Sequence, residues 1–314
     1  MNDKRPLNLR GKTIGYSEKY MYLGSWFTDD GKPESALKFH EPAHLSSVNK
    51  FAKFCHTNTE MPYYYKSLVM DAAVVSSVFY GCETWLIKNP AYAIGMYNKM
   101  IKCLLGVRDN TSIKLCLLES GKQPAKYLIN RRLKSFLEEK MQNKDMDEPF
   151  QIVYEMCKNA NSKGFKFMQN AINNSNNVES LEKIADTVRN SLNATKFQTY
   201  CTELNPDLET HEVYGKTVYL PDYIRISFTR LRVMSHNLKV ETGRWSRMTR
   251  INRVCQCDRR SVQDERHVLL ECPLSAHVRL QYQMLPLESM SSLMKCNNVI
   301  DLCNFVRNIL RIYR

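Results

Sequence analysis

The chain has 314 residues, 43% of them hydrophobic and 25% charged, a composition inside the globular range and long enough for two or three compact units. Its 11 glycines and 11 prolines are few for that length, which favours a helix-rich chain and argues against an all-β sandwich. Forty-five Lys and Arg against 32 Asp and Glu leave a net charge of +13, a field that concentrates polyanions such as nucleic acid or an anionic membrane face.

At the start, Met1 to Arg10 is polar and charged, without the apolar core of a signal peptide. The 11 cysteines are an odd number scattered through ordinary helical sequence. Reduced thiols in the nucleus or cytoplasm are therefore expected, not a disulfide framework. Residues 12–32 are rich in Tyr, Trp and Phe and read as short strands, with Asp30-Gly31 as a hairpin-turn signal.

From Pro33 the apolar spacing turns helical. Helices are expected over 34–56 and 63–87, separated at Met61-Pro62, then from Ala91 to Leu105 with Gly106 as its stop, and from Lys126 to Lys144. The most apolar stretch, Ala72 to Cys82, is too short to span a bilayer, which needs about 20 apolar residues, so a core helix is expected and no membrane partner. Polar turn-forming runs at 159–164 and 173–177 mark 145–222 as a helical spacer with loose joints. A last helix is expected from Val299 to Tyr313.

The sharpest local pattern is Cys255-x-Cys257, nine residues, His267, four residues, Cys272. Three thiolates and an imidazole suit tetrahedral Zn2+ in a closed structural site, although a single residue between the first two cysteines is tight. His277 is a spare candidate, better read as a surface helix residue. Cys55, Cys103, Cys116, Cys157, Cys201, Cys296 and Cys303 have no ligand spacing and read as small buried hydrophobes, while Cys82 beside Glu83 suggests a nucleophile but has no His in the same helix, so core packing is the better account of that helix.

Just upstream, ten Lys and Arg lie between Arg225 and Arg260, opposed by Glu241 and Asp258 alone. The planar guanidinium pairs bidentately with phosphate and stacks on bases. Arg225, Arg230, Arg232, His236, Arg244, Trp245, Arg247, Arg250 and Arg253 are thus the candidate nucleic-acid contacts. Arg244, Arg247, Arg250 and Arg253 recur every third residue, a spacing expected to align them on one helical face. Asp29-Asp30 looks like a catalytic metal pair but has only Asp3 upstream of it, and turn chemistry accounts for it better.

Tyr22-Leu23-Gly24-Ser25 followed by Asp30-Gly31 resembles the primer-grip region of non-LTR (LINE-type) retrotransposon reverse transcriptases. Ser77-Val-Phe-Tyr-Gly-Cys-Glu-Thr-Trp85 and Lys102-Cys-Leu-Leu-Gly-Val-Arg108 resemble that family's thumb. Arg230-Leu-Arg232, Ser235-His236, Glu241-Thr-Gly-Arg-Trp-Ser-Arg247 and Glu265 to Pro273 resemble its basic Cys/His tail. The pieces span 20–108 and 225–273 in the family's order. The resemblance implies that Tyr22, Leu23 and Gly24 lie where a polymerase supports the primer end, that 34–105 corresponds to the thumb, and that 225–273 grips template RNA or target DNA. Fingers, most of the palm and its metal-binding aspartates have no counterpart ahead of residue 20.

The fold class expected is mostly α: a thumb-like helical bundle with a small N-terminal β remnant and a C-terminal zinc-knuckle-like segment. The divisions expected are 1–32, 33–144, 145–222, 223–285 and 286–314. The function expected is RNA or DNA binding without turnover. The alternatives are a zinc-stabilised protein adaptor, or a subunit completing a separately encoded reverse-transcriptase palm.

Overall fold

The structure is a computed structural model, and it describes residues 6–82, 91–142, 149–161, 165–166, 169, 178–191 and 193–313. It is mostly helical, with two small antiparallel strand pairs at the N-terminus and a Cys/His cluster towards the C-terminus. The chain divides into two compact units. The first comprises Met1–Asn49, Val75–Met96 and Ala125–Val178, and the second Lys50–Val74, Tyr97–Pro124 and Glu179–Arg314.

In the first unit, β1 (Leu7–Leu9) pairs with β2 (Lys12–Ile14), and β3 (Lys19–Tyr22) with β4 (Ser25–Thr28). Both hairpins close on two residues with positive φ, Arg10-Gly11 and Leu23-Gly24, the conformation that matches the strands' own twist. The hairpin turn is therefore Leu23-Gly24 and not Asp30-Gly31. Asp30 instead heads the next element. Its carboxylate accepts bonds from Thr28 Oγ1 at 2.7 Å, the Lys32 amide at 3.0 Å and Ser35 Oγ at 2.7 Å, which hold its pKa down at about 2.

Helix α1 (Pro33–Thr57) follows, as the spacing predicted. In this unit Tyr80 donates to the Leu23 carbonyl at 2.7 Å and Arg132 to the Phe79 carbonyl at 2.9 Å, with Val78, Phe79 and Ala93 in the core.

The second unit holds α2 (Tyr63–Val69), which passes into a π-type turn at Met70–Val75, and α3 (Ala91–Leu105), which enters the unit at Tyr97. The expected helix over 63–87 is observed as far as Val78, and residues 83–87 lie outside those described. Gly106 ends α3 with φ +69°, where a β-carbon would meet Ile226 at 2.7 Å, so only glycine fits.

Helices α4 (Ile113–Ser120), α5 (Ala125–Gln142, in the first unit) and α6 (Pro149–Asn159, also there) come next. Then come α7 (Leu181–Arg189), α8 (Thr195–Thr199), α9 (Asp222–Arg232), α10 (Lys239–Trp245), α11 (Ala276–Gln281), α12 (Met290–Met294) and α13 (Val299–Ile312). The core of the second unit lies where α13 packs on α9, around Phe228, Leu231, Leu302, Phe305 and Val306.

The expected boundaries at 144, 222 and 285 do not coincide with these units. Buried polar bonds from α9 explain why. Arg225 reaches the Leu104 and Leu105 carbonyls at 3.2 and 3.4 Å, and Lys66 pairs with Asp222. Residues 50–74, 97–124 and 179–222 thereby fall in one compact unit with the basic segment. Among the described residues no helix is long and apolar enough to cross a membrane.

Candidate metal centre and the basic surface beside it

The four residues singled out by spacing converge. Val254 and Val262 form an antiparallel bridge that closes a small loop. Inside it the Cys255 amide donates to the Ser261 carbonyl at 2.7 Å, and the Arg259 amide returns to the Cys255 carbonyl at 3.1 Å. The Asp258 carboxylate accepts the Ser261 hydroxyl and the Arg260 and Ser261 amides, the amides at 2.9 and 3.0 Å, which tightens the loop and lowers its own pKa. This curl is what lets two sulfurs separated by one residue face the same point.

The other two donors come from a single π-type turn, His267–Glu271. The Asp264 carboxylate receives the His267 amide at 3.0 Å at its start, and the Cys272 amide closes on the His267 carbonyl at 2.7 Å. That wider turn brings His267 and Cys272 to one side.

Cys255 Sγ and Cys272 Sγ are 3.7 Å apart, and Cys257 Sγ lies 3.2 Å from His267 Nε2. All four donor atoms fall within 4.8 Å of one another. A disulfide needs about 2.05 Å between sulfurs, so Cys255 and Cys272 are separate thiols. Tetrahedral bonds of about 2.3 Å to sulfur put ligand sulfurs about 3.8 Å apart, close to the observed separation.

Desolvation, reinforced by the Cys255 and Cys272 sulfurs, pushes the Cys257 thiol upward. Three thiolates this close need a cation to be stable together. Around the centre, Gln263 Nε2 lies 3.8 Å from Cys255 Sγ, and Glu271 Oε2 lies 3.8 Å from His267 Nδ1, where a carboxylate would orient an imidazole ligand. The cluster can thus hold a metal ion. His277 is exposed on α11 and takes no part.

The basic candidates divide differently. Arg225 and Arg232 are among the largest fully buried side chains in the protein and cannot be phosphate contacts. Arg225 makes two bonds to Asp222 Oδ1, at 2.9 and 2.7 Å, and one to Thr229 Oγ1 at 2.9 Å. Arg232 binds Glu119 at 2.6 Å and the Leu204 carbonyl at 2.6 Å. His236 is buried too, 2.8 Å from Glu265.

The alignment of Arg244, Arg247, Arg250 and Arg253 along one helix is also not observed. Helix α10 ends at Trp245, Arg247 has φ +53°, and a short 3-10 turn occupies Arg250–Asn252. Arg253 is spent on backbone, reaching the Val240 carbonyl at 2.8 Å and the Met248 carbonyl at 2.6 Å. Arg230, Trp245, Arg247 and Arg250 are exposed, joined by Arg259 and Arg260. Arg244 is half-buried against Glu241 at 2.9 Å, and Arg250 pairs with Asp264 at 3.0 Å.

Sequence reading missed Arg108, whose guanidinium lies 4.4 Å from the Trp245 ring centroid. It also missed Lys196, which pairs with the buried Glu241. Tyr22, Leu23 and Gly24 form an exposed hairpin end in the first unit. Asp29 accepts from Tyr16 and raises that phenol's pKa to about 12. The Cys/His group is the one cluster of potential metal ligands found among the described residues, so Asp29 and Asp30 belong to none.

Cys55, Cys82, Cys116 and Cys303 are buried as expected, whereas Cys103, Cys201 and Cys296 are only half-buried. The Cys157 side chain lies outside the described residues.

The geometry defines a mostly helical protein with a three-sulfur, one-nitrogen cluster that could hold a metal ion. No protein-family model, no curated protein and no solved structure matches the chain.

Proposed function

We propose that the second unit is a nucleic-acid-binding module whose Cys/His cluster carries one structural Zn2+. The observation that carries this reading is the segment from Trp245 to Arg260. It presents Trp245, Arg247, Arg250, Arg259 and Arg260 to solvent and is anchored at its far end by two of the cluster's sulfurs. Between Trp245 and Arg260 five arginines stand against a single acid, Asp258, which leaves the segment strongly positive.

Four protein donors fill a tetrahedron and leave no open position for an activated water, so the ion would serve folding and not turnover. The resemblance to the thumb and tail of non-LTR retrotransposon reverse transcriptases points the same way. It implies RNA or DNA as partner, met in the nucleus or cytoplasm, with no polymerase chemistry in this chain itself. A chain of that descent could also complete a separately encoded palm, and added chain would then raise primer extension by such a palm.

Titration of the full chain against labelled RNA and DNA at two salt concentrations tests the reading. Binding that weakens steeply with salt is expected. A second reading, a protein adaptor, draws on Met248 and Ile251, exposed among the arginines at 41% and 76%. Absence of nucleic-acid binding at low salt would favour it.

A further inference from the structure

Trp245 is half exposed at the end of α10 and has a cation on either side of it along the chain or in space. Each of these two cations lines a recess. The first is reached through Arg108, stacked 4.4 Å from the indole centroid, and is lined by Arg108 and Arg230 together with Ser227, Ser235 and Asn237. The second is reached through Arg244, the preceding residue, and is lined by Lys196 and Arg244 with Ser112 and Thr195. No carboxylate lines either recess among the described residues.

The nearest acid, Glu241, is buried and bridges Lys196 and Arg244, so it offsets one of their two charges and leaves that recess with a net positive charge of one. Arg108 is fixed by neutral groups only. Its amide donates to Ser235 Oγ at 3.1 Å, its guanidinium donates to the His236 carbonyl at 3.1 Å, and a further bond reaches Asn237. The indole is thereby held in place by a guanidinium that keeps its charge.

We infer that these recesses and the indole form a track for single-stranded nucleic acid: phosphates in the Lys196/Arg244 and Arg108/Arg230 recesses, and an unpaired base stacked on Trp245. This rests on the nucleic-acid reading above and narrows it to the single strand, because only an unpaired base offers its face to an indole. It also assigns work to Arg108 and Lys196, which lie outside the arginine-rich segment.

The test uses the full chain and the anisotropy of labelled 12-nucleotide single strands, DNA and RNA, beside a duplex of matched sequence. Trp245→Ala is expected to weaken single-strand binding roughly tenfold, Trp245→Phe to restore most of it, and duplex binding to stay unchanged. Lys196→Gln and Arg108→Gln are each expected to lower the slope of log affinity against log salt by about 0.7.

Should Trp245→Ala melt early, fluorescence quenching of Trp245 on binding, in a chain carrying Trp26→Phe and Trp85→Phe, reads the same contact. A chain that binds nucleic acid with neither quenching nor a loss in the folded Trp245 variants overturns the track alone. A chain that binds none at low salt overturns the nucleic-acid reading with it.

Discussion

Arg232 and Glu119 stand 113 positions apart in the chain and are joined by a 2.6 Å bond between Nε and Oε1, both side chains essentially sealed from water. The Glu119 carboxylate also accepts from Tyr200 at 2.9 Å and Tyr214 at 2.8 Å. Through Tyr214 and Thr229 the network continues to Arg225, Asp222 and Lys66. Every charge in it faces a partner, and removing one partner leaves another charge stranded where solvation cannot replace it.

Glu119→Ala is therefore expected to cost about 3–5 kcal/mol, because it orphans a buried guanidinium. Chemical denaturation followed by circular dichroism measures it. Arg232→Ala is expected to be similarly damaging, so a loss of nucleic-acid binding in that variant would report unfolding. A folded Arg232→Ala with normal stability and weakened binding would contradict this account.

Metal removal should be felt across the whole second unit. Cys255, Val268, Leu269 and Cys272 are all buried, and α13 packs against the turn that carries His267 and Cys272. One zinc per chain is expected by elemental analysis. Cys272→Ser or a strong chelator should lower the thermal midpoint of the intact chain, since ligand-site energy is folding energy. An unchanged midpoint with chelator, or a chain purified without metal, would remove the zinc assignment.

The parts of this site legible in the sequence are those set by local spacing. His267 and Cys272 sit on one turn, Cys255 and Cys257 on one loop, and the helix from Ala91 stops at Gly106, whose positive φ favours glycine and where a β-carbon would crowd Ile226. What could not be read was the direction of long cationic side chains. Arg225 and Arg230 look alike in sequence, yet one is buried on Asp222 and the other exposed at the surface. The distinguishing partners, Glu119 for Arg232 and the Leu104 and Leu105 carbonyls for Arg225, lie more than a hundred residues upstream. The three-residue spacing of Arg244 to Arg253 misled for a related reason. Arg253 bonds the carbonyls of Val240 and Met248, and this fixes a turn where periodicity alone would continue a helix.

A pH dependence follows from His211. Burial, helped by nearby Arg232, lowers its pKa from 6.5 to about 4. Its Nδ1 accepts the Val213 amide at 3.1 Å, which the neutral ring can do and a protonated nitrogen cannot. The unfolded chain then binds a proton near pH 6.5 that the folded chain resists down to about 4, so stability is full above pH 6.5 and falls through that window. The loss amounts to about 3 kcal/mol at most. His211→Asn keeps a side-chain acceptor for Val213 and should flatten the decline between pH 6.5 and 4. Equal slopes for the two proteins in denaturation at several pH values would rule His211 out as the cause.

The exposed and the structural arginines should separate by experiment. Replacing Arg247, Arg250, Arg259 and Arg260 together with Gln is expected to weaken binding to all sequences alike and to shallow the salt dependence, since phosphate contacts carry no base information. Stability should barely move, because these side chains face solvent. Gly243→Ala should do the opposite. A β-carbon there would stand 2.7 Å from Arg253 Cγ and 2.9 Å from its Cδ, which forces that side chain off the Val240 and Met248 carbonyls it holds. A destabilisation of about 1–3 kcal/mol is expected from such crowding. If the quadruple variant melts early while Gly243→Ala is silent, the division between binding and structural arginines drawn here is reversed.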